Sequence, residues 1–168
     1  RFLKLKHPEL PVLMAEKLRQ KGHSLVIDFY GNGEEEASTR ALASHLGLED
    51  CINFLGAVPN EQVLQAMRQH DIFLFTSDSN EGWGAVANES MSQGCVLVGS
   101  DAIGSIPFLV KHRQNGLVFR SCQVDSLVEE AEWLITHPQE MKRMQRAAVS
   151  TMQEKWSLRN AARQFLQL

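Results

Sequence analysis

The stretch EGWGAVANESMSQG, residues 81–94, sets two glutamates, Glu81 and Glu89, eight positions apart around a Gly82-Trp83-Gly84 turn. Gly82 and Gly84 free the backbone to take positive φ and to come close to a ligand. The run after Gly84 has helical texture. A helix starting there turns unpaired N–H groups, and the positive end of its dipole, toward the same space. That combination suits a diphosphate. Carboxylates repel phosphate but accept well from sugar hydroxyls, vicinal pairs above all. Glu81 lies ahead of the helix and Glu89 about 7–8 Å along its axis. The pair therefore suits a molecule with hydroxyls on both sides of a diphosphate, the shape of a nucleotide-sugar. The same residues also fit an ordinary loop entering an ordinary helix, with Glu81 a dipole-favoured entry acid and Glu89 on a surface face.

Other chemistries find less. GNGE at 31–34 is a lone G-x-G at a strand-to-helix turn, without the G-x-G-x-x-G of a dinucleotide site. GSIP at 104–107 offers a second helix start, and Arg1 and Lys6 offer cations to a diphosphate. There is no D-x-D, the nearest run being DSN at 78–80, and neither a phosphate-binding G-x-x-x-x-G-K-[ST] nor a nucleophile-elbow G-x-S-x-G occurs. His7, His23, His45, His70, His112 and His137 are scattered without metal-ligand spacing and read as structural or solvent-facing.

The elements that must position these residues alternate in texture. Short β-rich runs at 24–30, 51–56, 71–77, 95–100 and 116–119 are apolar almost throughout, as strands covered on both faces of a parallel sheet are. Helical patterns lie between them at about 8–21, 34–46, 60–69 and 84–93, with a short turn at 105–110. In 123–136, Val124, Leu127, Val128, Ala131, Leu134 and Ile135 form a core-facing stripe. Pro138 fits the first turn of the next helix, with Met141, Met144 and Ala148 inward, and a last helix starts at Ser157. The Met and Trp positions of these helices read as core. Alternation of this kind predicts a doubly wound α/β sandwich with a parallel sheet, in which ligands collect beyond the carboxyl ends of the strands. YGNGE, SDSNEGWG and SDAIGS each follow a strand, so three polar loops converge on one edge.

With 43% apolar residues and no low-complexity segment, the 168 residues suit one folded domain rather than a disordered chain. A net charge of −3 argues against nucleic acid as partner, and the basic KRMQR at 142–146 reads as a solvated helix face. Cys51, Cys95 and Cys122, odd in number and far apart, suit reduced thiols in a cytosolic protein. No apolar run approaches the ~20 residues of a membrane span and no signal peptide is present. The start at RFLKLK, without Met, suggests a piece of a longer protein.

In order along the chain, FYGNGE, INFLGAVP, EGWGAVANESMSQGCVLVGS and IPFLVKHRQNGLVF resemble the C-terminal domain of glycosyltransferase family 4 enzymes of the GT-B fold. The likeness covers nearly the whole chain, and its most specific element is the E-x7-E motif from Glu81 to Glu89. It implies one Rossmann-like nucleotide-sugar-binding domain over 1–168, half of a two-domain enzyme whose N-terminal domain holds the acceptor. By the same resemblance, Glu81 binds hydroxyls of the transferred sugar and orients it. The amides of Gly82, Trp83 and Gly84 approach sugar and diphosphate, and Glu89 accepts from the ribose. Arg1 and Lys6 neutralise the diphosphate, Gly31 and Gly33 form the G-x-G turn, and Ala57 and Val58 meet the nucleobase. The family often has Gly-Gly-x-Pro-Glu where this chain has Gly104-Ser105-Ile106-Pro107-Phe108, so that second glycine and that glutamate have no counterpart. Asn88 with IGSIPFL is similar to a branch found in bacterial surface-polysaccharide gene products.

The implied activity is retaining, metal-independent transfer from a UDP- or GDP-sugar to a glycan or lipid-linked saccharide, with no cofactor beyond the donor. The expected location is cytoplasmic, with room for the full-length protein at the inner face of the membrane. Two other classes stay open on the residues alone: a nucleotide-sugar epimerase of the same fold, and a non-enzymatic α/β binding module that needs neither glutamate.

Overall fold

The computed structural model describes residues 1–156 and Asn160. All five expected strands form: β1 (Ile27–Phe29), β2 (Ile52–Phe54), β3 (Ile72–Phe75), β4 (Val96–Ser100) and β5 (Gly116–Phe119). Every pairing is parallel. Between and after them run α1 (Glu9–Gln20), α2 (Glu36–His45), α3 (Asn60–Gln69), α4 (Val86–Ser92), α5 (Ile106–Leu109), α6 (Val124–Thr136) and α7 (Pro138–Lys155). A 3₁₀ turn at Lys4–Lys6 precedes them. The helix expected from Ser157 lies outside the described residues.

The strand side chains sort by parity, as the period of two requires. Ile72, Leu74, Val96, Val98, Leu117 and Phe119 pack on one face, against Leu10, Met14 and Leu18 of α1 and Leu127, Ala131 and Leu134 of α6. Phe73, Phe75, Leu97 and Val118 pack on the other, against Ala87 and Met91 of α4, Ile106 and Leu109 of α5, and Ala148 and Met152 of α7. Helices thus cover both faces, the arrangement that all-parallel strands demand. The α6 stripe is as expected, with Val124 and Ile135 at its half-buried margins. Trp156 departs from the core reading: it is exposed, with its ring 5.2 Å from that of Trp83.

Hydrogen-bonded continuity differs from the single sheet expected. The strands form two ladders, β1–β2 and β3–β4–β5, with no pairing between β1 and β3. A third cluster, Val12 and Ala15 of α1 with Ala43, Leu48 and Ile52, serves the smaller ladder. No described helix is long and apolar enough to cross a membrane.

Candidate functional site

The first seven residues arch over the carboxyl ends of the strands. Phe2 N–H donates to the Asn32 carbonyl (3.0 Å), tying the arch to the loop after β1, and Asp78 N–H donates to the Leu5 carbonyl (2.9 Å), tying it to the loop after β3. Thr76 Oγ1 adds a bond to the Lys6 carbonyl (2.6 Å). The Phe2 ring is fully buried and packs on the half-buried rings of Phe29 and Phe54, centroids 5.4 and 5.9 Å away. This clamp fixes where Lys6 points.

Lys6 Nζ meets Glu81 Oε2, and Ser77 Oγ donates to the same oxygen at 3.0 Å. Ser77 is fully buried, and the Lys6 ammonium stands 5.5 Å from the centre of the Phe75 ring. The Glu81 carboxylate is thereby held inward, with its side chain only 13% exposed. Gly84 sits on the same phenyl ring: it has φ +65°, and a Cβ there would come within 2.3 Å of Phe75 Cζ. Ala87 N–H bonds back to the Gly84 carbonyl (2.9 Å), so among the described residues the amides of Gly84, Ala85 and Val86 keep no backbone acceptor.

A cavity of about 1110 Å³ joins these groups. Of the residues expected at the site, Arg1, Lys6, Gly31, Ala57, Val58, Glu81 and Gly84 line it. Gly33, Gly82, Trp83 and Glu89 do not. Gly33 is required by packing instead, since a Cβ on it would fall 2.2 Å from the Phe2 carbonyl oxygen. Gly82 has open space around it and no positive φ; its carbonyl serves as the wall against which Gly104 packs. The Trp83 indole donates to Asn88 Oδ1 (2.8 Å) and packs outward with Phe108 and Trp156. Glu89 stands opposite the buried Ala87, Ser90 and Met91 of α4, and its Oε1 lies 3.5 Å from Asn60 Nδ2, close in the chain to the lining residues Ala57 and Val58.

The sequence reading placed Ser77 and Asp78 in the loop SDSNEGWG at this edge but gave neither them nor Thr76 a role, though their place directly after a strand was the available signal. It also passed over His7 as an anchor. His7 takes a left-handed backbone (φ 46°), and its ring meets Glu9 Oε1 at 2.9 Å and Asp78 Oδ2 at 3.2 Å, with Cys122 Sγ at 3.6 Å. Burial pushes the imidazole pKa down, but the bonds to Glu9 and Asp78 together outweigh it, leaving the pKa raised. The Asp78 carboxyl is held low, first by the Asn80 backbone N–H and then by His7. Burial raises the Cys95 thiol to about 12, far from a reactive thiolate. Among the described residues no cluster of His, Cys, Asp or Glu could hold a metal ion.

Residues 1–151 match the family of glycosyl transferases group 1. The chain belongs to this family. Among its relatives, the amylovoran biosynthesis glycosyltransferase AmsK of Erwinia amylovora is 31% identical over 104 residues, 59% of this chain and 25% of that protein. A D-inositol 3-phosphate glycosyltransferase of Segniliparus rotundus is 29% identical over 154 residues, 89% of this chain and 34% of that protein. The chain thus spans about a third or less of the length of these curated relatives. Among solved structures, Alr3699/HepE of Anabaena in complex with UDP superposes with a TM-score of 0.88 at 20% identity, over 99% of this chain and 46% of that one. The C-terminal domain of the group 1 glycosyl transferase LpcC of Francisella tularensis gives 0.83 at 18% identity, over 93% and 82%. At such identities the likeness speaks to the fold, which is Rossmann-like α/β.

Proposed function

We propose that this chain is the donor-binding domain of a retaining, metal-independent glycosyltransferase of the GT-B type, moving a sugar from a UDP- or GDP-sugar to a glycan or lipid-linked saccharide. The observation that carries the proposal is the convergence of Arg1, Lys6, Gly31, Val58, Glu81 and Gly84 on one cavity at the carboxyl edge of parallel strands, where open α/β sheets bind their ligands. In this reading Lys6 and Arg1 take the diphosphate, Glu81 takes hydroxyls of the transferred sugar, and the nucleobase lies along Ala57 and Val58. The anomeric carbon leaves the diphosphate oxygen and bonds to an acceptor hydroxyl oxygen, whose proton passes to the departing diphosphate. The cations and the free amides at Gly84–Val86 stabilise the departing diphosphate as its charge develops.

Lys6 and Glu81 satisfy each other, and the donor replaces each partner by a better-matched one. Glu89 reaches the ribose by leaving Asn60, a 3.5 Å contact at the long limit of hydrogen bonding. Metal independence is supported by the lack of a D-x-D. The complex of HepE with UDP supports a uridine nucleotide in this fold. The relation to AmsK supports polysaccharide biosynthesis as the setting. The acceptor would belong to an N-terminal domain, and the cytoplasm is the compartment where nucleotide-sugars are at hand.

The test is calorimetry of the full-length polypeptide with UDP, GDP, UDP-glucose and GDP-mannose, with and without a chelator. Lys6→Ala should weaken nucleotide binding about tenfold or more, the loss of one charge-assisted bond. Glu81→Ala should spare the bare nucleotide, since it frees Lys6, yet weaken the nucleotide-sugar by a similar factor. Indifference of the wild-type protein to all four ligands would favour a non-enzymatic binding module.

A further inference from the structure

The loop that supplies Glu81 and Gly84 to the cavity also carries a ring that the cavity does not use. Trp83 stands between them, two residues after Glu81 and directly before Gly84. Its indole lies outside, 40% exposed, between Phe108 of α5 and Trp156 at the end of α7, with ring centres 5.9 and 5.2 Å away. Phe108 is 68% exposed and Trp156 41%. Among the described residues five large apolar side chains stand exposed, and three of them meet here. Single exposed apolar residues need no explanation, whereas a contiguous group beside a binding site does.

The three rings are held in place by the fold. The Trp83 indole N–H donates to Asn88 Oδ1 at 2.8 Å, which satisfies the polar edge of the ring and ties it to α4. Gly104 packs on the Gly82 carbonyl so closely that a Cβ would fall 2.9 Å from its oxygen, and this brings the start of α5 against the loop before Trp83. Ile106 and Leu109 take the buried side of α5, so Phe108 is turned outward by the helix itself. Elsewhere rings carry a cation: Arg40 on Phe54, Lys6 on Phe75 and Arg113 on Trp133. Among the described residues none stands over Trp83, Phe108 or Trp156. Beside them, the Asn88 amide nitrogen has only the Met152 sulfur at 3.7 Å, a weak acceptor, so its donors are largely unspent.

Uncovered ring faces next to an amide with donors to spare match the chemistry of a pyranose. Such a sugar shows C–H groups on its faces and hydroxyls around its rim, so it stacks on an aromatic ring and hydrogen-bonds at the edge. Resting on the donor reading above, we propose that Trp83, Phe108 and Trp156 form a stacking strip for the acceptor saccharide, holding the sugar units next to the one whose hydroxyl reacts.

Position and charge both favour that occupant. In the donor reading the transferred sugar lies at Glu81, and two residues of chain place the Trp83 backbone within about 7 Å of it. The acceptor hydroxyl has to reach the anomeric carbon there, so the units behind it pass over the adjoining surface. Ring spacings of 5.2 and 5.9 Å are close to the length of one pyranose, so each ring can serve a separate unit. A lipid surface fits less well: aromatic residues that dip into membranes work beside Lys and Arg, whereas this chain has a net charge of −3 and no cation over the strip among the described residues. A neutral saccharide needs no cation. Phe108 stands where Gly-Gly-x-Pro-Glu would put a carboxylate, so the strip is a feature of this chain's sequence rather than of its fold. These contacts add to those an N-terminal domain would make with the acceptor.

The test is saturation-transfer NMR on the full-length protein with cellotriose, chitotriose and mannotriose. At least one trisaccharide should take up saturation, and the ring-face protons should take up more than the hydroxymethyl protons, as stacking requires. Phe108→Ser should weaken that trisaccharide about threefold to tenfold, the worth of one aromatic contact, with an unchanged denaturant midpoint. Phe108→Tyr, which keeps a ring, should hold it as wild type does. No saturation of any of the three sugars would overturn the proposal, and so would equal affinity in wild type and Phe108→Ser. Vesicles of phosphatidylglycerol that bind wild type but not Phe108→Ser, with no response to the sugars, would give the strip to a lipid surface instead. UDP, titrated separately, keeps the two readings apart: nucleotide binding without any trisaccharide response sinks the strip alone, and a trisaccharide response without nucleotide binding sinks the donor reading and leaves a saccharide on the strip.

Discussion

Phe75 supports three things at once. Its ring lies under the Lys6 ammonium, packs on the face shared by α4 and α7, and meets Gly84 where a Cβ would stand. Replacing Gly84 by Ala places a methyl 2.3 Å from Phe75 Cζ at a residue held at φ +65°. Overpacking and left-handed strain then act together, for an expected loss of about 2 kcal/mol. A denaturant titration of the variant measures it, and a midpoint equal to wild type would mean that the turn relaxes freely. Gly82→Ala, with open space around it, serves as the near-neutral control. The two glycines look equivalent in the sequence. Only the packing separates them, because it depends on a ring contributed by a strand end nine residues earlier. Glu81 and Glu89 divide for a similar reason: the rotation of α4 follows its buried Ala87, Ser90 and Met91, a stripe that sequence pattern could have shown.

At the scale of elements, the five strands and six of the seven α-helices among the described residues were legible because apolar runs and helical stripes are local signals, while α5 reads in the sequence only as a short turn. The amino-terminal arch was not. It is fixed by contacts with Asn32, Thr76 and Asp78, far away in the chain, and by His7, which alone of the six histidines joins the arch to the loop after β3. That anchor has a pH dependence of known sign. The His7 pKa is raised in the folded protein by Glu9 and Asp78 acting against burial. Its contribution to stability is therefore complete below the unfolded value of about 6.5 and is lost as pH rises through the higher folded value. Groups facing the ring are Glu9 on α1, Asp78 after β3 and Cys122 after β5. Melting temperatures of wild type should fall with rising pH across that window more steeply than those of His7→Asn, a residue that tolerates the left-handed backbone. Parallel slopes for the two proteins would show that the imidazole does not anchor the arch.

At the scale of the molecule, the question is what makes two separate ladders one cooperative unit. Strand pairing is decided between segments distant in sequence, so the break between β1 and β3 could not be read from apolar runs. The coupling falls to α1, with Leu25 and Ile27 beside it packed against both cores. Its Val12 and Ala15 belong to the core under β2, while its Leu10, Met14 and Leu18 belong to the core under β4 and β5. Leu18 is fully buried in the larger core. Leu18→Ala should therefore cost about 3 kcal/mol, the transfer term plus the cavity it leaves. If α1 is the coupler, the loss reaches both ladders through the helix rather than staying with the one Leu18 touches. Native-state hydrogen exchange of the full-length protein reads this directly: the amides of Ile52 in β2 and Val98 in β4 should lose protection by the same factor. A fall confined to Val98 would divide the chain into two independently opening units, with the boundary running between β1 and β3.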